Sequence, residues 1–255
     1  MKINNEVIYS NIKLSGNKIE ITHIKIIAAN HYKETYNLIL RKIVEGNLIH
    51  ADETKVKLEK ENGYVWVFTN LEEVAYLYKP TREASFLHKL LSEFYGVLVS
   101  DFYSGYDSLK CRQQKCLAHL IRDLNNTLQK NILDEELKEI VINFGSLLRK
   151  IIGTIDRYGL KTRFMRKHKK DVKKFFVWLE KRNYNSASAE LFKKRMINYK
   201  QELFLFLDYD NIPWNNNNAE NAIKQFAYYR RNVNGQIAES GVEAHLILLS
   251  IYQTC

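Results

Sequence analysis

"NLIHADETKVKLEKENGYVWVFTN", residues 47–70, holds two runs of alternating apolar and polar residues rich in β-branched and aromatic side chains, separated by a polar stretch that contains Asn62-Gly63. Alternation at a period of two suits strands with one buried face, and Asn-Gly favours a tight turn. The stretch is read as a β-hairpin. Downstream, "EEVAYLYKP" (72–80) adds a third strand-like run ending at Pro80, "TREASFLHKLLSEFYG" (81–96) reads as an amphipathic helix closed by Gly96, and "VLVSDFYSGYD" (97–107) begins with a short, fully apolar strand. The order β-β-β-α-β, with the last strand buried and parallel to the first, predicts a mixed sheet with helices packed on it.

Strand signals fade from about residue 115 to 207. "LAHLIRDLNNTLQKN" (117–131), "LDEELKEIVINFGSLLRKIIGTIDRYG" (133–159) and "DVKKFFVWLEKRN" (171–183) place apolar residues at three- and four-residue spacing, so this third of the chain is expected to be helical. The segment 161–176, "KTRFMRKHKKDVKKFF", gathers eight Lys or Arg residues, Lys167, Lys169 and Lys170 among them. It is either a solvated face or a phosphate-backbone contact patch. Residues 1–47 read as a helical lead-in.

Composition narrows the function classes. In 255 residues, 45% are hydrophobic and 27% charged, which suits a folded globular chain. Lys plus Arg exceed Asp plus Glu by 39 to 29, a formal charge of +10, which favours an anionic partner and nucleic acid first. The cysteines Cys111, Cys116 and Cys255 are too few and unevenly spaced for a disulfide framework, so a reducing cytoplasm is expected. The start, "MKINNEVIYSNIKLSG", lacks the apolar block of a signal peptide, and no stretch is apolar enough for a membrane span.

Acids at strand ends are the chemical signal. Asp52 lies at the edge of one apolar run and Asp101 ends another. A carboxylate there caps a turn, pairs with a base or binds a cation. "DFYSG" also suits an Asx-type turn at Asp101, and a plain surface position remains open for Asp52. In "IPWNNNNAENAIKQFAYYRRN" (212–232), four asparagines precede a helical run carrying the single acid Glu220. Glu220 can form a surface pair with Lys224, but its face also carries Ile223 and Ala227, which favours an inward carboxylate. Three acids converging at one sheet end would hold two divalent cations, a site suited to phosphoryl transfer.

The ordered blocks "IHADET", "GYVWVF", "GVLVSDFYSGYD", "KCLAHLIRDL", "IPWNNNNAENAIK" and "SGVEAHLILLSIYQTC", spanning roughly 48–255, resemble the DDE transposases of bacterial insertion sequences, in particular the insertion-sequence-66 family. The resemblance implies a ribonuclease-H-like core over 48–255, with flanking helices and an all-helical insertion, about 125–207, between the second and third acids. It implies Asp52, Asp101 and Glu220 as the catalytic, metal-binding set, with two Mg²⁺ ions for which Mn²⁺ substitutes. It further implies cleavage of DNA at element ends, strand transfer into target DNA, a homo-oligomer on DNA and accessory proteins of the same element. "CLAHL" resembles the family's Cys-x-x-His element, which would set His119 near the scissile phosphate, with Lys224, Arg230 and Arg231 close to DNA. Cys116 and His119 alone do not make a structural zinc site, since no second ligand pair at suitable spacing follows. Residues 1–47 lack the cysteine-rich end-recognition segment of longer members, and the chain stops inside a helical pattern. An inert DNA-binding remnant and another ribonuclease-H-like nuclease are the rival expectations.

Overall fold

The computed structural model describes residues 18–255 apart from residue 234; residues 1–17 of the expected lead-in lie outside the described residues. Five strands form one mixed sheet: β1 (Leu48–Lys57), β2 (Asn62–Thr69), β3 (Val74–Lys79), β4 (Val97–Ser100) and β5 (Arg112–Lys115), in spatial order β3-β2-β1-β4-β5. The pairs β1–β2 and β2–β3 are antiparallel, while β1–β4 and β4–β5 are parallel. The expected mixed sheet is present.

Two details of the hairpin and crossover differ from the sequence expectation. The turn between β1 and β2 is closed by Leu58 N–H donating to the Glu61 carbonyl, and Asn62-Gly63 is already paired strand. Gly63 serves a different need: a Cβ there would sit 2.3 Å from the Tyr78 ring. The helix expected over 81–96 is only α3 (Ser85–Leu90), although Leu91 and Phe94 beyond it stay buried. Gly96 does not close that helix; its Cβ would lie 2.4 Å from the Asn47 carbonyl oxygen. Glycine therefore lets β4 approach the start of β1, where Val97 N–H bonds to that same carbonyl at 3.0 Å and fixes the parallel register.

Strand β5 escaped the sequence reading because "RQQK" contains no apolar residue, yet Gln114 and Lys115 are fully buried. Gln114 bonds the Leu203 carbonyl and the Phe206 N–H, and Lys115 pairs with Asp107 at 2.8 Å under the Tyr199 ring. Polar partners replace the hydrophobic pattern there.

Helices cover both faces. On one face α1 (Lys18–His31), α2 (Lys33–Glu45) and α3 pack on Ile49, Ala51, Trp66, Phe68 and Leu98, so α2 buries Tyr36, Ile39 and Ile43 within the sheet's own core. The opposite face meets α4 (Leu117–Lys130), α5 (Glu135–Tyr158), α6 (Thr162–Met165), α7 (Lys169–Lys181) and α8 (Ala187–Asn198), whose shared core also includes Leu48, Val97 and Val99. That same face carries α9 (Asn217–Val233) over Val56, Val65 and Val67, with Ala219, Ala222 and Phe226 turned inward. The last helix, α10 (Glu239–Thr254), packs against α1 and β3. Among the described residues no helix is long and apolar enough to cross a membrane.

Candidate active site

Register brings the first two acids together. His50 of β1 pairs with Val99 of β4, so the same register continued by two places sets Asp52 beside Asp101, just past the end of β4, while β1 runs on to Lys57. Residues 48, 50 and 52 share the face toward α9, whereas Glu53 faces the other way. Asp52 Oδ1 accepts the Glu53 N–H at 2.9 Å and Asp101 Oδ1 accepts the Tyr103 N–H at 2.9 Å; the second is the turn that "DFYSG" suggested. Neither acid has a salt bridge among the described residues.

Burial, then the neighbouring Glu53 carboxylate, and further Asp101 and Glu220, push Asp52 up to about 7, against the pull of the Glu53 N–H. Asp52 and Asp101 thus share a field that no salt bridge among the described residues offsets. The side chains of Asp52, Asp101 and Glu220 offer only hard oxygen, but among the described residues these three acids do not close to within 4.8 Å of one another as a ligand group.

The asparagine run explains how α9 is held here. Asn216 is fully buried; its Nδ2 donates to the Ala51 carbonyl at 2.8 Å, which leaves its Oδ1 to accept from His50 Nδ1 at 3.0 Å. Asn218 Nδ2 then donates to His50 Nε2 at 3.3 Å. His50 is thus neutral with its proton on Nδ1, and burial pushes its pKa down to about 4. This clamp fixes the start of α9 over β1, and four residues beyond Asn216, about one helical turn, lies Glu220.

Glu220 turns toward α4, away from Lys224. Its Oε1 lies 3.5 Å from His119 Nδ1 and its Oε2 lies 3.7 Å from Arg122. Lys224 instead bonds Asn221 at 3.1 Å, so the surface-pair alternative is set aside. Neither Glu220 Oε1 nor His119 Nδ1 has a hydrogen-bond partner. Cys116, which precedes α4, completes a group with His119 and Glu220 whose ligand atoms all lie within 4.8 Å of one another. Beside them an open groove of about 480 Å³ is lined by Arg82, Asp101, Tyr103, His119, Asp123 and Arg195.

The model of the transposase IS66 family matches residues 9–244. The chain belongs to that family. Among curated proteins it is similar to the uncharacterized protein y4hP of Sinorhizobium fredii (strain NBRC 101917 / NGR234), 24% identical over 258 residues that cover 86% of this chain and 47% of y4hP. This IS66-family chain therefore spans about half the length of the curated relative it matches.

The basic residues expected at DNA fare unevenly in the IS66-family chain. Lys167 and Lys170 are exposed, in a segment anchored by buried His168, whose Nε2 meets Thr154 Oγ1 at 2.8 Å. Lys169 is engaged by Asp208. Arg230 donates to Thr54 Oγ1 at 2.8 Å and so ties α9 to β1, while Lys224 and Arg231 are exposed. Sequence reading missed Glu53, whose side chain is 1% exposed and bonds Arg82 at 2.5 Å and the Tyr106 hydroxyl at 2.8 Å. It also missed Arg122 and Arg195, the latter pairing with Asp123 at 2.8 Å over the Phe102 ring. The signal available was the acid pair "DE" at 52–53, since successive strand residues face opposite sides and need separate partners.

Proposed function

We propose that the chain is the catalytic core of a DDE-type transposase that cuts DNA at the ends of a mobile element and joins the freed 3′ ends to target DNA. The observation that carries the reading is the approach of Asp52, in the middle of β1, to Asp101, just past the end of parallel β4, neither in a salt bridge among the described residues, with Glu220 of α9 close enough to raise Asp52 further. The strand order and directions support a ribonuclease-H-like core, with α5 to α8 inside the expected helical insertion of about 125–207.

Asp52, Asp101 and Glu220 would hold two Mg²⁺ ions. When bound, such ions lower the pKa of an attacking water or 3′-hydroxyl and stabilise the leaving oxygen. The chain's own residues supply the rest. Raised toward neutrality by burial, Asp52 stays partly protonated until a cation neutralises the cluster, which couples metal binding to proton release. The Arg82 guanidinium, stacked 4.1 Å from the Tyr103 ring, and Arg195 line the groove at Asp101, where they meet a phosphodiester as fixed cations. His119 lies on the same groove wall. The positive surface, +10 overall, attracts DNA, and exposed Lys167, Lys170, Lys224 and Arg231 contact its backbone. Synapsis of two ends implies a homo-oligomer, and accessory proteins of the same element are further expected partners.

The test is calorimetric titration of Mn²⁺ into the chain and into Asp52→Asn, Asp101→Asn and Glu220→Gln, followed by strand transfer on element-end DNA. Binding lost in all three folded variants, with transfer lost in parallel, is the expected result. Salt-sensitive DNA binding without any metal-dependent chemistry in the parent chain would sink the reading in favour of an inert remnant.

A further inference from the structure

Cys116, His119 and Glu220 come from two elements about a hundred positions apart in sequence, yet their ligand atoms fall within 4.8 Å of one another. A tetrahedral ion with Zn–N and Zn–O near 2.0–2.1 Å and Zn–S near 2.3 Å needs ligand atoms separated by roughly 3.3–3.8 Å. His119 Nδ1 and Glu220 Oε1 already meet that at 3.5 Å, so only the sulfur side has to close. Both atoms are shielded from solvent and have no hydrogen-bond partner, an arrangement that costs free energy unless something lies between them. Arg122 occupies the other carboxylate oxygen, leaving Oε1 open. The Cys116 sulfur is fully buried, and the backbone N–H of Asn216 donates to it at 3.2 Å, with the N–H groups of His119 and Ala118 also directed at it. Burial, and further the Glu220 carboxylate, push the Cys116 thiol up against those donors, so the thiolate would form with the ion rather than before it.

We propose that Cys116, His119 and Glu220 form a second, three-ligand site for a thiophilic divalent ion, Zn²⁺ by chemistry, with one coordination position open. Sulfur and imidazole select such an ion over Mg²⁺. The sequence motif offered two ligands; the clamp of α9 onto β1 brings the third. Glu220 is shared, so an ion in this site holds its carboxylate toward α4 and removes it from Asp52 and Asp101. This consequence rests on the proposed transposase reading; the site itself does not. Zinc occupancy would then exclude the Mg²⁺-dependent state.

The test uses Co²⁺ as a spectroscopic stand-in for Zn²⁺, added to the reduced full chain. The expected result is sulfur-to-cobalt charge-transfer absorption with the visible bands of a tetrahedral ion, displaced by Zn²⁺ and untouched by excess Mg²⁺. Cys116→Ser abolishes it, whereas Cys111→Ser, Cys255→Ser and Asp101→Asn retain it. Should Cys116→Ser fail to fold, Glu220→Gln keeps the thiol and decides the matter, with Co²⁺ affinity expected to fall by at least about 100-fold, the upper end of the loss for a group that only supports a ligand. No charge-transfer band in the parent chain, or a band that follows Cys111 or Cys255, overturns the site. A Co²⁺–thiolate band in a chain without Mn²⁺-dependent DNA chemistry would reject the transposase reading and leave this site standing. Intact chemistry that Zn²⁺ at Co²⁺-saturating concentration fails to inhibit would reject the sharing of Glu220.

Discussion

Two neighbouring acids on β1 have opposite surroundings. Glu53 faces Arg82 and Tyr106 and is satisfied by both, while Asp52, on the other face, meets only a backbone N–H and the fields of other carboxylates. Burial raises the pKa of each, but for Glu53 the Arg82 and Tyr106 bonds pull back down. One strand thus carries a carboxylate with its charge compensated by the protein and another that no basic group of the protein pairs with among the described residues. Paired acids hold structure together, and unpaired ones gathered across neighbouring strands are where chemistry is to be sought.

The sharpest way to break this contrast is to neutralise each acid in turn. Asp52→Asn and Asp101→Asn are expected to remove several kcal/mol of transition-state stabilisation, at least about a 1,000-fold loss in a strand-transfer assay, with folding retained. Glu53→Gln keeps a hydrogen-bonding group against Tyr106 and should keep measurable chemistry. Equal loss in Glu53→Gln would mean that the two faces do not differ in role. Glu53→Ala, which strands the Tyr106 hydroxyl and half-exposed Arg82, is expected to cost about 2–3 kcal/mol in urea unfolding.

How much of this was legible in the chain follows from the same physics. The alternating run at 48–57, the apolar "VLVS" and the helical spacing at 117–181 announced the sheet and its helices, because apolar periodicity is written in the residues themselves. Strand β5 was silent, since Gln114 and Lys115 are buried by polar partners that lie far along the chain. Asp52 and Asp101 were visible as acids ending apolar runs. That Asn216 clamps His50, or that Glu220 turns to His119, depends on contacts across more than a hundred residues and on no local pattern. The misread glycines make the same point: Gly63 and Gly96 are required by the Tyr78 ring and the Asn47 carbonyl, and nothing adjacent to them signals that.

A smaller effect sharpens the contrast through pH. Asp52 is raised in the fold, so the native state holds its proton between the unfolded carboxylate range near 4 and about 7, and stability from this group falls as pH rises through that window. His50 and His245 are each lowered to about 4 by burial, so the unfolded chain binds more protons between about 4 and 6.5, and their contribution rises with pH there. The two trends oppose one another. In metal-free buffer Asp52→Asn should therefore steepen the rise of stability from pH 4 to 6.5 and leave the variant more stable than the parent at pH 8, by about 1–2 kcal/mol after allowing for solvent screening. Thermal melts across that range check it, and Mn²⁺ should reverse the order at pH 8 by stabilising only the parent. A variant less stable than the parent at pH 8 without metal would show that Asp52 is compensated within the protein after all.

The smallest expected effect extends the rule of paired against unpaired charge to the basic residues. Lys167 and Lys170 stand free in solvent, whereas Lys169, between them in sequence, is held by Asp208 and Arg230 is held by β1. A surface cation already paired with a carboxylate contributes less to counterion release, because a phosphate has to displace that partner, and one that is free releases about 0.9 per phosphate contact. Replacing Lys167 and Lys170 together with Ala should reduce the slope of log affinity against log salt by about 2, and Lys169→Ala should change it by much less. Binding of a random-sequence duplex over a salt series measures both, with no knowledge of the element's ends. An equal change for Lys169 would mean that DNA displaces Asp208 from its partner, and the paired state seen in the free chain would then be a resting arrangement that binding undoes.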